Sequence, residues 1–245
     1  MANKKKQAKG ELIVGIHPVI EVLKAKRRKV ISIYTTKPTP KAFKLIERHM
    51  PKYPVAIQYV TRNVLTDMAG TSDHQGVVAW VQSFAFRNKP FDPNKQKFLV
   101  MLDSIQDPRN VGAILRSAYC AGAQGAIITT RSSSPLNAIA LKSSAGLAEH
   151  LEIQLASTAQ EALIQLKKAG YTNYLAMLDG ADATKTSYDL PLCIVIGNEA
   201  VGISKSLIPF GNPITLPQKT ADVSYNASVA AGILLFTVGT KHGLI

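Results

Sequence analysis

The sequence predicts an α/β protein: a mainly parallel sheet with helices on both faces, preceded by a small α/β module. Three observations carry this. From residue 98 onward, short apolar runs alternate with polar loops and helix-length segments, which is the pattern of repeated βαβ units. Runs such as 98–102 and 192–196 are apolar throughout, as strands buried on both faces require. Between them and the start of the chain, residues 83–97 hold Arg87, Asn88, Lys89, Pro90, Asp92, Pro93, Asn94 and Lys95, a polar, proline-containing stretch that reads as a linker.

The elements follow in order. Residues 1–10 read as a basic, disordered leader with Lys4, Lys5, Lys6 and Lys9. In the module 11–82, strands are predicted at 12–15, 30–34, 55–59 and 76–81. Helices are predicted at 18–25, with Pro18 in the first turn, at 41–49 and at 62–67. In the second domain, 98–245, strands are expected at 98–102, 126–129, 152–155, 174–177, 192–196 and 213–216. Helices are expected at 111–121, 136–145, 159–169 and 226–241. There is no internal repeat.

Charge divides the chain in the same way. The net charge is +13, and residues 1–97 hold 19 Lys and Arg against 6 Asp and Glu, whereas residues 98–245 hold 10 of each. A polyanion bound mainly by the first module explains this asymmetry, with Lys24, Lys26, Arg27, Arg28 and Lys29 as the densest group of phosphate contacts. Several classes drop out. Cys120 and Cys193 are the only cysteines, too few for a disulfide framework or a zinc knuckle. Both sit in apolar segments and read as core. The five histidines are scattered, so no metal is expected. No apolar run approaches the roughly 20 residues of a membrane span, and the basic start lacks a signal-peptide core. A cytoplasmic protein is expected.

The chemistry concentrates where strands end. After 98–102 comes a polar loop, then Asn110 opens a small-residue helix that closes at Gly122. Arg116 sits among Val111, Ala113, Ile114, Leu115, Ala118, Tyr119 and Cys120, where an arginine either reaches water or is held by an anion. Residues 197–202 have glycines at the Walker spacing but lack the Lys-Ser/Thr pair. Gly122 and Gly125 follow a helix instead of opening one, unlike a dinucleotide fold. The loop at Gly197 nevertheless lets backbone approach a ligand and carries Glu199. A third strand end leads to Ser224 and Asn226.

Three ordered motifs now resemble one family. Asp107-Pro108-Arg109-Asn110-Val111-Gly112 with Arg116, Ile196-Gly197-Asn198-Glu199-Ala200-Val201-Gly202, and Ser224-Tyr225-Asn226-Ala227-Ser228-Val229-Ala230 are similar to the SpoU (TrmH-like) RNA ribose 2′-O-methyltransferases of the SPOUT class. Gly15-Ile16-His17-Pro18-Val19 and His74-Gln75-Gly76-Val77 resemble the RlmB-type branch. The resemblance implies an N-terminal RNA-binding module, a catalytic domain with a C-terminal trefoil knot, a homodimer, and S-adenosylmethionine as methyl donor without a metal. It places donor contacts at Thr130, Gly197, Leu216 and Tyr225, a catalytic set at Asn110, Arg116, Glu199, Ser224 and Asn226, and Arg109 beside the RNA. Tyr225 and Ala227 stand where the family pattern has Leu and Val; a backbone contact tolerates such a change, and Tyr225 bears mainly on the shape of the adenine pocket.

Because guanidinium stays protonated, Arg116 is expected to grip the phosphate beside the target ribose and stabilise the developing alkoxide. Glu199 is expected to pair with Arg116, to accept from a ligand hydroxyl, or to be the general base itself. The resemblance favours large-subunit rRNA, with a guanosine target. A tRNA substrate is the alternative within the class, and a non-catalytic RNA-binding or ribosome-assembly factor is the alternative outside it. Donor binding separates enzyme from binding module.

Overall fold

A computed structural model describes residues 10–219 and 224–245; the predicted leader, apart from Gly10, lies outside the described residues. The chain divides into two compact units, Met1–Ala85 and Phe86–Ile245.

In the first unit, β1 (Gly10–Val14), β2 (Val30–Thr35), β3 (Ala56–Tyr59) and β4 (Val77–Gln82) form a mixed sheet in the order β1-β4-β2-β3. Gly10, assigned to the leader by sequence, opens β1. Helix α1 (Ile16–Ala25) starts two residues before Pro18. Gln75 Oε1 accepts the Ile16 N–H at 3.0 Å, and Pro18 falls in the first turn, where a missing N–H costs nothing. Helices α2 (Phe43–Arg48) and α3 (Arg62–Ala69) complete the unit, the latter capped by the Thr61 hydroxyl, which accepts from the Val64 N–H.

One predicted phosphate contact is corrected here. Lys24, Lys26, Arg27 and Lys29 are exposed, but Arg28 is 7% exposed. Its guanidinium meets Glu11 at 2.7 Å, donates to the Gln82 carbonyl at 3.1 Å and lies 5.2 Å above the Phe84 ring. A buried charge must keep such partners, so Arg28 straps β1 to the end of β4 instead of facing RNA. Accordingly, Arg28→Met should lower the unfolding free energy by on the order of 3 kcal/mol in a denaturant titration without altering the salt dependence of RNA binding. Lys26→Ala should do the reverse, leaving stability alone and reducing the slope of log K against log salt by about one.

The second unit carries a six-stranded, wholly parallel sheet in the order β10-β8-β9-β5-β6-β7. Its elements are β5 (Phe98–Leu102), α4 (Pro108–Cys120), β6 (Gly125–Thr129), α5 (Ala138–Ser143), β7 (Glu152–Ala156), α6 (Ala159–Lys168), β8 (Thr172–Asp182), β9 (Leu192–Ile196), β10 (Asn212–Thr215) and α7 (Ala227–Lys241), with 3-10 turns at Leu147–His150 and Lys205–Phe210. Every residue of β5, β6 and β9 is buried. Leu99, Met101, Ile127, Leu175, Cys193 and Val195 pack with Ala162, Leu163 and Leu166 of α6 and with Leu207. The alternate residues point the other way, where α4 packs on β5, α7 on β9, and α4 against both α5 and α7. Helices therefore cover both faces.

Two further expectations change. The stretch read as a linker belongs to the second unit from Phe86 onward. The Arg87 N–H donates to the Ile153 carbonyl at 2.7 Å, its guanidinium pairs with Glu152, and Phe91 is buried in the core. A Cβ at Gly125 would lie 2.4 Å from the Phe91 ring, so the glycine makes room for it. Cys120, read as core, is exposed, while Cys193 is buried. Among the described residues no helix is long and apolar enough to cross a membrane.

Candidate active site

A cavity of roughly 440 Å3 opens at the carboxyl ends of β8, β9 and β10 and the start of α7, the edge at which open α/β sheets bind ligands. The loop after β9 forms one wall. A Cβ on Gly197 would lie 2.5 Å from the carbonyl carbon of Gly202, so the loop closes on itself only because that side chain is absent. Gly202, at φ +67°, occupies the left-handed region that favours glycine. The Gly202 N–H donates to the Asn198 carbonyl at 2.9 Å, and Asn198 Oδ1 accepts from the Ala200 and Val201 N–H groups at 2.8 and 3.1 Å.

Across from this loop, helix α4 begins at Pro108 and is capped by Asp107, which accepts the Arg109 N–H at 2.8 Å. The start is thus three residues earlier than expected, and Asn110 is not the cap. Both residue types suit a cap, but Pro108 fits the first helical position. Asn110 is thereby freed to donate Nδ2–H to Glu199 Oε1 at 2.9 Å, while the Gln106 N–H donates to Glu199 Oε2 at 3.3 Å. The expected Arg116–Glu199 pair does not form. Arg116 is exposed and makes no ion pair or hydrogen bond among the described residues. Six residues along α4, it stands about 9 Å beyond Asn110 and about a third of a turn around from it.

Burial works to raise the Glu199 carboxyl, but the Asn110 side chain and backbone N–H groups outweigh it and hold the group below the ordinary carboxylate range. Glu199 is therefore an ionised acceptor and a weak base. Its hydrogen-bonded stabilisation is present above the ordinary carboxylate pKa and is lost as pH falls through the lowered value. An acidic limb in the rate profile should therefore persist in Glu199→Gln, and its disappearance would identify Glu199 as the base. Asp103, at the end of β5, is displaced oppositely. Its burial pushes the carboxyl up, partly offset by hydrogen bonds from Ser104 and Thr129.

Ser224, Gly197, Leu216 and Tyr225 all line the cavity, as does Glu199. Asn226 instead caps α7, accepting from the Ser228 N–H and hydroxyl at 2.8 and 2.7 Å. Thr130 is not on the wall. Its N–H and hydroxyl both go to the Ala156 carbonyl, at 2.8 and 3.4 Å, fastening the end of β6 to β7. Arg109 is exposed in the first turn of α4. Sequence reasoning missed Ala176–Asp179 on the opposite wall. In β8 these residues fall where Leu175 pairs with Pro213 and Ala181 already pairs with Ile214, a bulge with no sequence signal beyond Gly180. No group of three or more His, Cys, Asp or Glu among the described residues is placed to hold a metal.

A strand-end cavity of this size, walled by glycine backbone and flanked by a paired carboxylate and carboxamide, has the room and the polar groups for a nucleoside-sized ligand on an α/β fold. The model of the SpoU rRNA methylase family matches residues 97–236, and that of the RNA 2′-O ribose methyltransferase substrate-binding domain matches residues 12–86. The chain belongs to this family of S-adenosylmethionine-dependent RNA 2′-O-ribose methyltransferases. It is 33% identical over 246 residues to a Bacillus subtilis protein named as a TrmH family tRNA/rRNA methyltransferase, YacO, covering 95% of this chain and 96% of that one. It is 30% identical over 239 residues to the 23S rRNA (guanosine-2′-O-)-methyltransferase RlmB of Haemophilus influenzae, covering 93% and 96%. The fold is shared with the SpoU methyltransferase AviRb of Streptomyces viridochromogenes, solved with AdoMet, at a TM-score of 0.80 and 21% identity over 99% of this chain and 94% of that one.

Proposed function

We propose that this protein methylates a ribose 2′-hydroxyl of large-subunit rRNA, at a guanosine, as a homodimer. The observation that carries the reading is the Asn110–Glu199 pair, which ties the first turn of α4 to a residue of the cavity wall. The wall fits the donor: apolar Ile196, Ile214 and Leu234 suit an adenine and its ribose, and the Asp179 and Glu199 carboxylates suit a cation. When bound, S-adenosylmethionine supplies a methyl group whose C–S bond breaks as the ribose 2′-oxygen attacks in line.

The chain's residues position and neutralise. Asn110 and Ser224 orient the ribose and loops through neutral hydrogen bonds, and Asn226 holds the start of α7. Arg116 binds the phosphate beside the target ribose and stabilises the alkoxide, with the proton relayed through that phosphate. Lys24, Lys26, Arg27 and Lys29 supply salt-dependent affinity, while RNA shape supplies recognition. Full-length similarity to a 23S rRNA enzyme supports an rRNA substrate.

A second copy accounts for two features. Val229, Ile233 and Phe236 form an exposed stripe on α7, with Phe236 61% exposed, at the spacing of one helix face. Arg116 also lies exposed and away from Asn110 on α4, so in this reading it serves the RNA ribose held by Asn110 and Ser224 of the other copy. Phe236→Glu should therefore yield monomers in sedimentation velocity and lose activity. Mapping 2′-O-methyl sites in RNA from cells with and without the gene tests the substrate. Loss of a site in 23S rRNA supports the reading, and loss confined to tRNA overturns it.

A further inference from the structure

We propose that Asn198 is a positioning residue that couples the donor cavity to the RNA-facing loop, so that filling the cavity tightens RNA binding. This rests on the methyl-transfer reading. Asn198 lies in the cavity wall, and both ends of its carboxamide are engaged. Oδ1 shapes its own loop through the Ala200 and Val201 N–H groups, while Nδ2 crosses to the Ser104 carbonyl at 2.8 Å.

Ser104 is where the other loop is set. It sits at φ +59°, an unfavourable conformation for a residue with a Cβ, of a kind that persists only when its surroundings over-determine it. Its N–H donates to Thr129 Oγ1 at 2.9 Å and its carbonyl accepts from Asn198. Ile105 beyond it is fully buried, and Gln106 and Asn110 both donate to Glu199. Adjacent residues of the cavity loop thus hold the catalytic loop at three points, the Ser104 carbonyl, the Gln106 N–H and the Asn110 amide. A ligand that orders the cavity loop orders the catalytic loop with it, and linkage makes the effect reciprocal.

Asn198→Asp isolates the crossing bond. The acid keeps an oxygen for the Ala200 and Val201 N–H groups but presents a second oxygen, not a donor, to Ser104. The measurements are the affinity for S-adenosylhomocysteine by calorimetry, the affinity for large-subunit rRNA from cells lacking the gene with and without saturating S-adenosylhomocysteine, and kcat and KM. In the unaltered protein S-adenosylhomocysteine should tighten RNA binding at least about fivefold. In Asn198→Asp that factor should fall to about one, and kcat should drop on the order of 30-fold, with S-adenosylhomocysteine affinity held within about threefold. Asn198→Ala, which also loses the loop's internal bonds, should lose donor affinity as well as rate.

Retained S-adenosylhomocysteine binding shows that the variant's cavity is folded. Two results overturn the coupling: RNA affinity in the unaltered protein that ignores S-adenosylhomocysteine, or an Asp variant with normal kcat and only a raised donor KM. If the unaltered protein shows the coupling but methylates no RNA, the methyl-transfer reading fails and the clamp stands, because binding alone reports it.

Discussion

Arg116→Lys is expected to cut methyl transfer at saturating RNA and donor by on the order of 100-fold. The charge survives the substitution, so long-range attraction for RNA is kept and affinity should change little. The planar fork is lost, and with it the two parallel N–H bonds by which Arg116 is proposed to fix a phosphate beside the reacting ribose. Because Arg116 is exposed and unpaired among the described residues, the melting temperature should not move. Single-turnover kinetics with RNA binding measured in parallel check this. Full rate with unchanged RNA affinity would remove Arg116 from the reaction.

Gly197→Ala is expected to weaken donor binding by about 5- to 150-fold, the affinity equivalent of the roughly 1–3 kcal/mol that overpacking costs. The added Cβ would meet Gly202 C at 2.5 Å and Ile203 N at 2.6 Å. Both are backbone atoms, so no side chain can swing aside and the loop itself must open. Gly202→Ala is the contrast. Nothing lies within 4 Å of its Cβ, and its cost is only the left-handed backbone, about 1 kcal/mol. Titration calorimetry with S-adenosylhomocysteine should therefore separate two glycines of one loop. Equal losses would show that the close approach at Gly197 does not shape the cavity.

These two glycines illustrate how far the sequence could be read. Strands β5 and β9 were legible to the residue, because a run buried on both faces has no polar positions to blur its ends. Helix α4 was legible in extent but not at its start, since Asp107 and Asn110 are both competent caps and Pro108 decides between them. Strand β8 continues through Leu178 to Asp182, residues too exposed and polar to announce a strand. Arg28 was misread because a run of basic residues does not tell which side chain turns inward. The second and third motifs located the cavity, yet Thr130 was assigned to it by analogy and is spent on Ala156. Asn198 lay within a quoted motif without a role, because its partner Ser104 is 94 positions away.

The stretch from Phe86 to Lys97 bears on how this protein avoids its own kind. A parallel sheet ends in two rows of free N–H and C=O groups, which invite a strand from another molecule. At one margin, β10 is four residues long and contains Pro213, a poor template for pairing. At the other, Arg87 forms a bridge with Gln154 of β7 and its guanidinium is anchored on Glu152, so the margin is already occupied by a strip of the same chain. With both margins blunted, open-ended sheet growth from one copy to the next is disfavoured.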